Sequence, residues 1–443
     1  RRASTADPKL ISLAPLGQNQ PVHPVQPDRT GRSQQRVHKK SWLALGTGLL
    51  AWTLLSPALG AAWKLRTIDN SSRGADGVRF LDVNGDKRQD IATGWEEGGI
   101  VRAYLHPGSD KVHKPWPAVT VGKVASPEDA VFVDLDNDGR VDIVSSCEGR
   151  NRRVHVHWAP KNPADYLDPE AWQTGTFPAT VGRSWMFALP MDIDGRHGTD
   201  IVLGSKGSGA SIAWLQAPEN PRDLAAWKLH TLRKSSWLMT LRAEDMDGDG
   251  DPDILASDRM SRNAKVLWLE NPGQDANRNN APWKEHTLGA RGRQVMFIDF
   301  ADLDGDGRKD VVIPCRPRDI LILYQPETPG QPWEEQTLTF PAEKYGTAKG
   351  VRVADLDNDG KLDIAATCEH ANGQLSGCFY LSFDKSPRQK VWKDTDIGGP
   401  LGVKYDRIEL LDVDGDGDLD LFSCEEQDQL GVFWYENPTD PSF

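Results

Sequence analysis

The sequence predicts an all-β fold, a seven-bladed propeller of four-stranded blades, from three observations. An acidic nonapeptide recurs seven times, with starts 52, 58, 53, 57, 53 and 57 residues apart. The same short apolar runs flank each copy, and a run led by Trp occurs once before the first copy and is missing after the last. A period of this size means stacked supersecondary units. Sandwich domains, at about 100 residues each, are nearly twice too long.

The chain has 443 residues, is 38% hydrophobic and contains 41 Gly and 30 Pro, a turn-rich composition. Residues 1–60 read as processing sequence. VHKK (37–40) is a short basic region, SWLALGTGLLAWTLL (41–55) is an apolar run short for a membrane span, and cleavage is placed after Gly60. Residues 37–60 are thus expected to be a signal peptide, with retention as a membrane anchor the alternative. Residues 1–36 are expected to be an upstream extension without ordered structure. The expected location is secreted, periplasmic or cell-surface. Residues 61–443 are expected to form the propeller.

Each unit of about 55 residues is then accounted for in order. An apolar run such as VRFL (78–81) or VMFI (295–298) precedes the acidic phrase, and DIVSS, DILAS or DVVIP follows it. A third run ends on Asn-Pro or Pro-Gly, as in KVLWLENPG (265–273), and a fourth opens on Trp, as in WKLHTL (227–232). All four are strand-like in length and composition. WKLRTI (63–68) stands before the first acidic phrase, so it must complete blade seven beside GVFWYENP (431–438). That pairing closes the ring and leaves no open sheet edge.

The acidic phrases carry the clearest chemistry. Oxygen-bearing side chains stand at positions 1, 3, 5 and 9 of six copies. They are Asp82, Asn84, Asp86 and Asp90 in blade one, and Asp134, Asp136, Asp138 and Asp142 in blade two. Blade four has Asp245, Asp247, Asp249 and Asp253; blade five has Asp302, Asp304, Asp306 and Asp310. Blade six has Asp355, Asp357, Asp359 and Asp363; blade seven has Asp412, Asp414, Asp416 and Asp420. A calcium ion takes six to eight such oxygens, and acids this close repel one another without a cation. About six calcium sites are expected. A helix–loop–helix calcium hand needs Glu at position twelve, whereas here Asp closes the phrase at nine between strands. Blade three, DIDGRHGTD (192–200), has Arg196 at position five, and its guanidinium is expected to replace the ion.

These loops resemble the FG-GAP/VCBS repeats of bacterial exported proteins and of the integrin α-subunit propeller. The resemblance covers residues 63–443. It implies a calcium-stiffened seven-bladed propeller whose ligands meet the face opposite the calcium loops, and it implies no single activity.

Two sets of turns build that opposite face. They are rich in cations, aromatics and acids, and Arg73, Arg183, Trp185, Arg233, Trp237, Arg293, Lys349, Glu148 and Glu369 are the candidate ligand-binding residues. Arg forks suit carboxylates or sulfates and flat aromatic faces suit sugar rings. The expected function is a monomeric binding module for carbohydrate or a surface protein. The alternative is a polysaccharide lyase or sugar dehydratase working by β-elimination, since some of these enzymes resemble this chain in having seven-bladed propellers. His370, Tyr345, Tyr405 and Arg407 could then supply base, proton donor and cation. The net charge is −13, and −19 once the net +6 of residues 1–60 is set aside, which argues against nucleic acid as a partner. Membrane insertion is not expected once the signal peptide is removed. Of the five cysteines, Cys368 and Cys378 are the best candidates for a disulfide, while Cys147, Cys315, Cys368 and Cys424 occupy nearly equivalent positions that suit small residues filling a crowded space.

Overall fold

A computed structural model describes residues 63–438 except 329. The signal-peptide, extension and anchor expectations for residues 1–60 lie outside the described residues. Among the described residues the strands form seven four-stranded antiparallel sheets, six of them in sequence order. Blade one is Ala75–Leu81, Asp90–Trp95, Ile100–Tyr104 and Ala118–Lys123. Blades two to six repeat the plan. Blade seven pairs Glu409–Leu411, Asp420–Glu425 and Gly431–Glu436, and its outermost strand is Lys64–Asp69 from the start of the propeller. The register sets Lys64 against Glu436 and Arg66 against Trp434. Arg66 also donates to the Glu436 carboxylate at 2.7 Å. The ring is therefore closed by the strand that the sequence placed there.

Burial explains why the blades stack. The second strands, such as Asp142–Cys147, are buried at every residue but Lys206 of blade three, because blades cover both of their faces. The described buried apolar residues fall into seven clusters, one in each gap between neighbouring blades. The Trp that opens most outer strands anchors its edge. Trp116, Trp172, Trp227 and Trp392 each donate their indole N–H to a backbone carbonyl four to six residues upstream.

The expected disulfide does not form. All five cysteines are buried free thiols. Cys378 pairs across the strands with Thr367, so Cys378 and Cys368 point to opposite faces of blade six. They enter different interblade cores, Cys368 against blade five and Cys378 against blade seven. Burial pushes the Cys147 and Cys315 thiols up to about 12. Cys147, Cys315, Cys368 and Cys424 thus act as small core residues, as their equivalent positions predict.

Among the described residues no helix is long and apolar enough to cross a membrane. The α-helix among them is the short Gln274–Arg278.

Candidate functional site

First and second strands run antiparallel, so each blade has two chemically distinct ends. The acidic phrase joins the strands at one end. Six residues away along either strand, roughly 20 Å at about 3.3 Å per residue, lies the other.

At the acidic end, positions 4 and 6 of the loops adopt left-handed backbone. Blade two uses Asn137 (φ 57°) and Gly139 (φ 80°), while blade four uses Gly248 (φ 81°) and Gly250 (φ 94°). This is why Gly and Asn alternate with the acids. Position 1 gathers the loop's own amides. Asp134, for example, accepts from the N–H groups of Asp138 at 3.2 Å and Gly139 at 3.0 Å.

Position 9 has a second duty that the sequence did not reveal. Asp142 accepts from Leu135 N–H at 3.2 Å and from Ala159 N–H at 2.8 Å, stapling the loop to the exit of the third strand. Asp90, Asp253, Asp310 and Asp420 make the same pair of contacts in their blades. Asp200 of blade three makes it as well, to Ile193 and Ala217. Burial, then neighbouring carboxylates against these backbone bonds, pushes Asp142 and Asp200 up to about 7.

The loops fit a hard cation. The donors are all oxygen, and ligand atoms of Asp134, Asp136 and Asp142 lie within 4.8 Å of one another. Buried carboxylate oxygens of Asp304 and Asp357 at position 3, and both oxygens of Asp418 at position 7 of blade seven, lack hydrogen-bond partners. Asp418 is a candidate ligand that the 1, 3, 5, 9 pattern overlooked.

In blade three the Arg196 guanidinium is not paired with the loop carboxylates it was expected to neutralise. Arg196 is exposed, and no described ion pair includes it. Its backbone N–H bonds Asp194 while Gln216 donates to the Asp194 carboxylate at 2.6 Å. Asp192, Asp194 and Asp200 remain grouped within 4.8 Å. Guanidinium groups do reach loops of this kind, from the loop itself where Arg88 pairs with Asp86 and Arg308 with Asp306, and from the following blade elsewhere. Arg222 pairs with Asp136 and lies 3.7 Å from Asp138, and Arg388 pairs with Asp304 at 2.7 Å.

At the opposite end the blades surround a cavity of about 440 Å³ on the axis, and all seven contribute to its lining. The sixth residue after each final Asp points there: Glu96, Glu148, Lys206, Arg259, Arg316, Glu369 and Glu426. The sixth residue before the first Asp supplies Asp76, Glu128, Met186, Met239, Lys349 and Asp406 in six blades, while blade five supplies Phe297, five before Asp302. Counting six outward from the acidic phrase was the signal that could have found all of these residues but Phe297.

The charges are sorted around the ring. Blades seven, one and two supply Asp406, Glu426, Asp76, Glu96, Glu128 and Glu148, with Lys404 as their one lining cation, paired to Glu426. Blades three to five supply Lys206, Arg259 and Arg316 over Met186, Phe187, Met239 and Phe297. Lys206 bridges the halves, pairing with Glu148 and lying 3.3 Å from Glu128. Lys349 sits among Glu369 at 3.6 Å, Asp406 at 3.7 Å and Glu426 at 4.0 Å. Burial and the facing carboxylates of Asp406, Glu128 and Glu426 push Asp76 well above the usual carboxylate range.

Of the candidate ligand-binding residues, Trp237, Lys349, Glu148 and Glu369 line the cavity, with His370. The others do not. Trp185 is fully buried and donates to Thr180 O at 2.7 Å. Arg183 bonds Ser211 at 2.9 Å; Arg233 is held by Asp258 at 2.8 Å and Glu285 at 2.5 Å. Arg293 lies 3.7 Å from Asp319, and Arg73 lies on the surface against Glu97 at 3.1 Å. Trp237 has Lys206 and Arg259 over its ring at 4.9 and 4.8 Å, so cations occupy the surface proposed for stacking a sugar.

The elimination machinery is not assembled. Tyr345 is buried and donates to Asp394 at 2.7 Å; Tyr405 is buried against Tyr435 and Leu401 O at 2.7 and 2.6 Å. Neither lines the cavity that His370 enters. Arg407 is buried outside the cavity lining, 3.9 Å from Glu409, beside an ion-pair network in which Arg352 binds Glu409 at 2.7 Å and Asp299 at 3.2 Å, and Arg79 binds Asp129 at 2.7 Å. Burial and Arg79 bring Arg407 down to about 10.

A family profile described as FG-GAP-like repeat matches residues 82–145 and 245–313, spans that each contain two acidic phrases and the strands between them. The chain is a seven-bladed β-propeller that carries FG-GAP-like repeats over those spans. Among solved structures, this propeller is similar to a chain from the crystal structure of BBS1N in complex with ARL6DN, soaked with mercury. The TM-score is 0.50 at 11% identity, covering 84% of this propeller's chain and 98% of the other. At that identity the likeness concerns the fold alone. No curated protein matches the propeller in sequence.

Proposed function

We propose that this propeller is an exported, monomeric, calcium-stiffened recognition module. On this reading it takes a polar ligand, a carbohydrate or groups displayed by a surface protein, in the axial cavity. The observation that carries the reading is the cavity itself, lined from all seven blades on the face away from the acidic loops. Its volume falls within the range of small-ligand sites, roughly 300–1,000 Å³. Its lining is rigid β structure, which favours a preformed site.

The binding reading is preferred to the enzymatic one because His370 meets no tyrosine in the cavity. With its aromatic surfaces buried or covered by cations, recognition rests on charge and hydrogen bonds more than on stacking. Calcium in the acidic loops would be held by the position 1, 3, 5 and 9 oxygens, and would stiffen the ends of the strands that carry the cavity.

The test is an array of neutral, anionic and cationic glycans and of extracellular protein extracts, read with the wild-type propeller and with Met239→Trp, which fills the cavity floor. Ligands retained by the wild type and lost by the variant support the reading. Retention that Met239→Trp leaves unchanged refutes the cavity as the site.

A further inference from the structure

The cavity holds more acids than cations on one side of the ring and a guanidinium outside any described ion pair on the other. Asp76, in blade one, is 8% exposed and lines the cavity. No described ion pair includes it; the carboxylates of Asp406, Glu128 and Glu426 crowd it, while Lys349 and Lys404 act on it without forming an ion pair. The Oδ1 atom of Asp406 beside it is buried without a hydrogen bond, and its ion pair with Lys349 is long, at 3.7 Å. Ligand atoms of Asp76, Asp406 and Glu426 lie within 4.8 Å of one another, as do those of Asp76, Glu96 and Glu128.

Three blades further round, Arg259 also has no described ion pair. Its guanidinium rests over Trp237 at 4.8 Å, its Nε is buried without an acceptor, and burial and Arg316 hold its pKa below the usual value. The indole Nε1 of Trp237 is likewise buried without an acceptor. Met186, Phe187, Met239 and Phe297 lie in the apolar part of the lining. Buried charges and donors left this way are costly unless something else satisfies them.

We propose that the cavity binds a small zwitterion. Its cationic group enters the pole of Asp76 and Asp406, and its carboxylate or sulfate meets Arg259 and the Trp237 N–H, with an uncharged spacer over the methionines. A compact ligand is favoured over a macromolecular surface because both poles lie within one cavity of about 440 Å³. The proposal rests on the cavity being the recognition site and adds the class of ligand. An amino acid with separated termini and an amino sugar linked to a uronic acid share this chemistry.

The test is calorimetric titration of the full propeller with 6-aminohexanoate, 6-hydroxyhexanoate and 6-amino-1-hexanol. A glucosamine–uronate disaccharide with a free amine, and its N-acetylated form, make the saccharide arm. The expected result is that a zwitterion binds about tenfold more tightly than its singly charged analogues. Whichever arm binds names the source. Asp76→Asn should weaken only amine-bearing probes, with Glu96→Gln as a second variant at that pole. Arg259→Gln should weaken only acid-bearing probes. Melting curves confirm that each variant is folded.

Equal binding of singly charged analogues overturns the zwitterion proposal. If neutral saccharides bind and Met239→Trp blocks them, the recognition reading stands and the zwitterion proposal falls. If no probe binds, or binding ignores Met239→Trp, both fall.

Discussion

Asp142→Ala tests whether the ninth acid of each loop is a structural staple in its own right. The substitution leaves the N–H groups of Leu135 and Ala159, both buried, without the carboxylate oxygens that accept them at 3.2 and 2.8 Å. Each buried donor left unpaired costs about 1–3 kcal/mol, so the variant should lose about 2–6 kcal/mol. Asp142→Asn keeps one acceptor and should lose roughly half of that. The measurement is urea unfolding followed by Trp fluorescence in chelator. It is run at pH 8, above the value of about 7 to which burial pushes this carboxyl. Asp200→Ala in blade three removes the same two contacts and should cost as much under the same conditions. Adding calcium should widen the deficit of Asp142→Ala, because the variant has also lost an ion ligand. A cost below about 0.5 kcal/mol in chelator, within the range of an ordinary surface substitution, would refute the staple.

The remaining expectations concern the whole ring. Chelation should lower the wild-type melting temperature, since each site at a hundredfold excess over Kd contributes about 2.7 kcal/mol; a melting curve indifferent to chelator removes calcium from the account. Deleting residues 63–69 strips the Gly431–Glu436 strand of its partner, and the truncated chain should melt lower and associate through the bared edge. A monodisperse product with an unchanged melting point contradicts closure by that strand. All five thiols should resist alkylation in the native protein and react in urea without prior reduction. Burial pushes the Glu426 carboxyl up to about 7 from 4.5, so the folded chain keeps a proton that the unfolded chain has lost. This group's contribution to stability therefore falls as pH rises from 4.5 to 7, and Glu426→Gln should show a shallower decline across that window.

The sequence by itself determined the repeat, the four strands of each unit and the closure of blade seven. All three are written in local spacing: Trp63 stands before the first acidic phrase, and no counterpart follows the last. It also placed the acidic loops, because left-handed positions such as Asn137 and Gly139 must carry residues that tolerate them. Only the tertiary structure decided which polar residues share a space. Arg233 and Trp185 read as surface chemistry, yet one is spent on Asp258 and the other fills the core between blades two and three. Asp76 and Arg259 share no sequence neighbourhood, and they line one cavity because blades one and four meet around a common axis. The same distinction separates Cys368 from Cys378: ten residues apart in sequence, they point to opposite faces of one sheet. Strand periodicity is a short-range property of the chain, whereas convergence on the axis depends on how seven separate units pack.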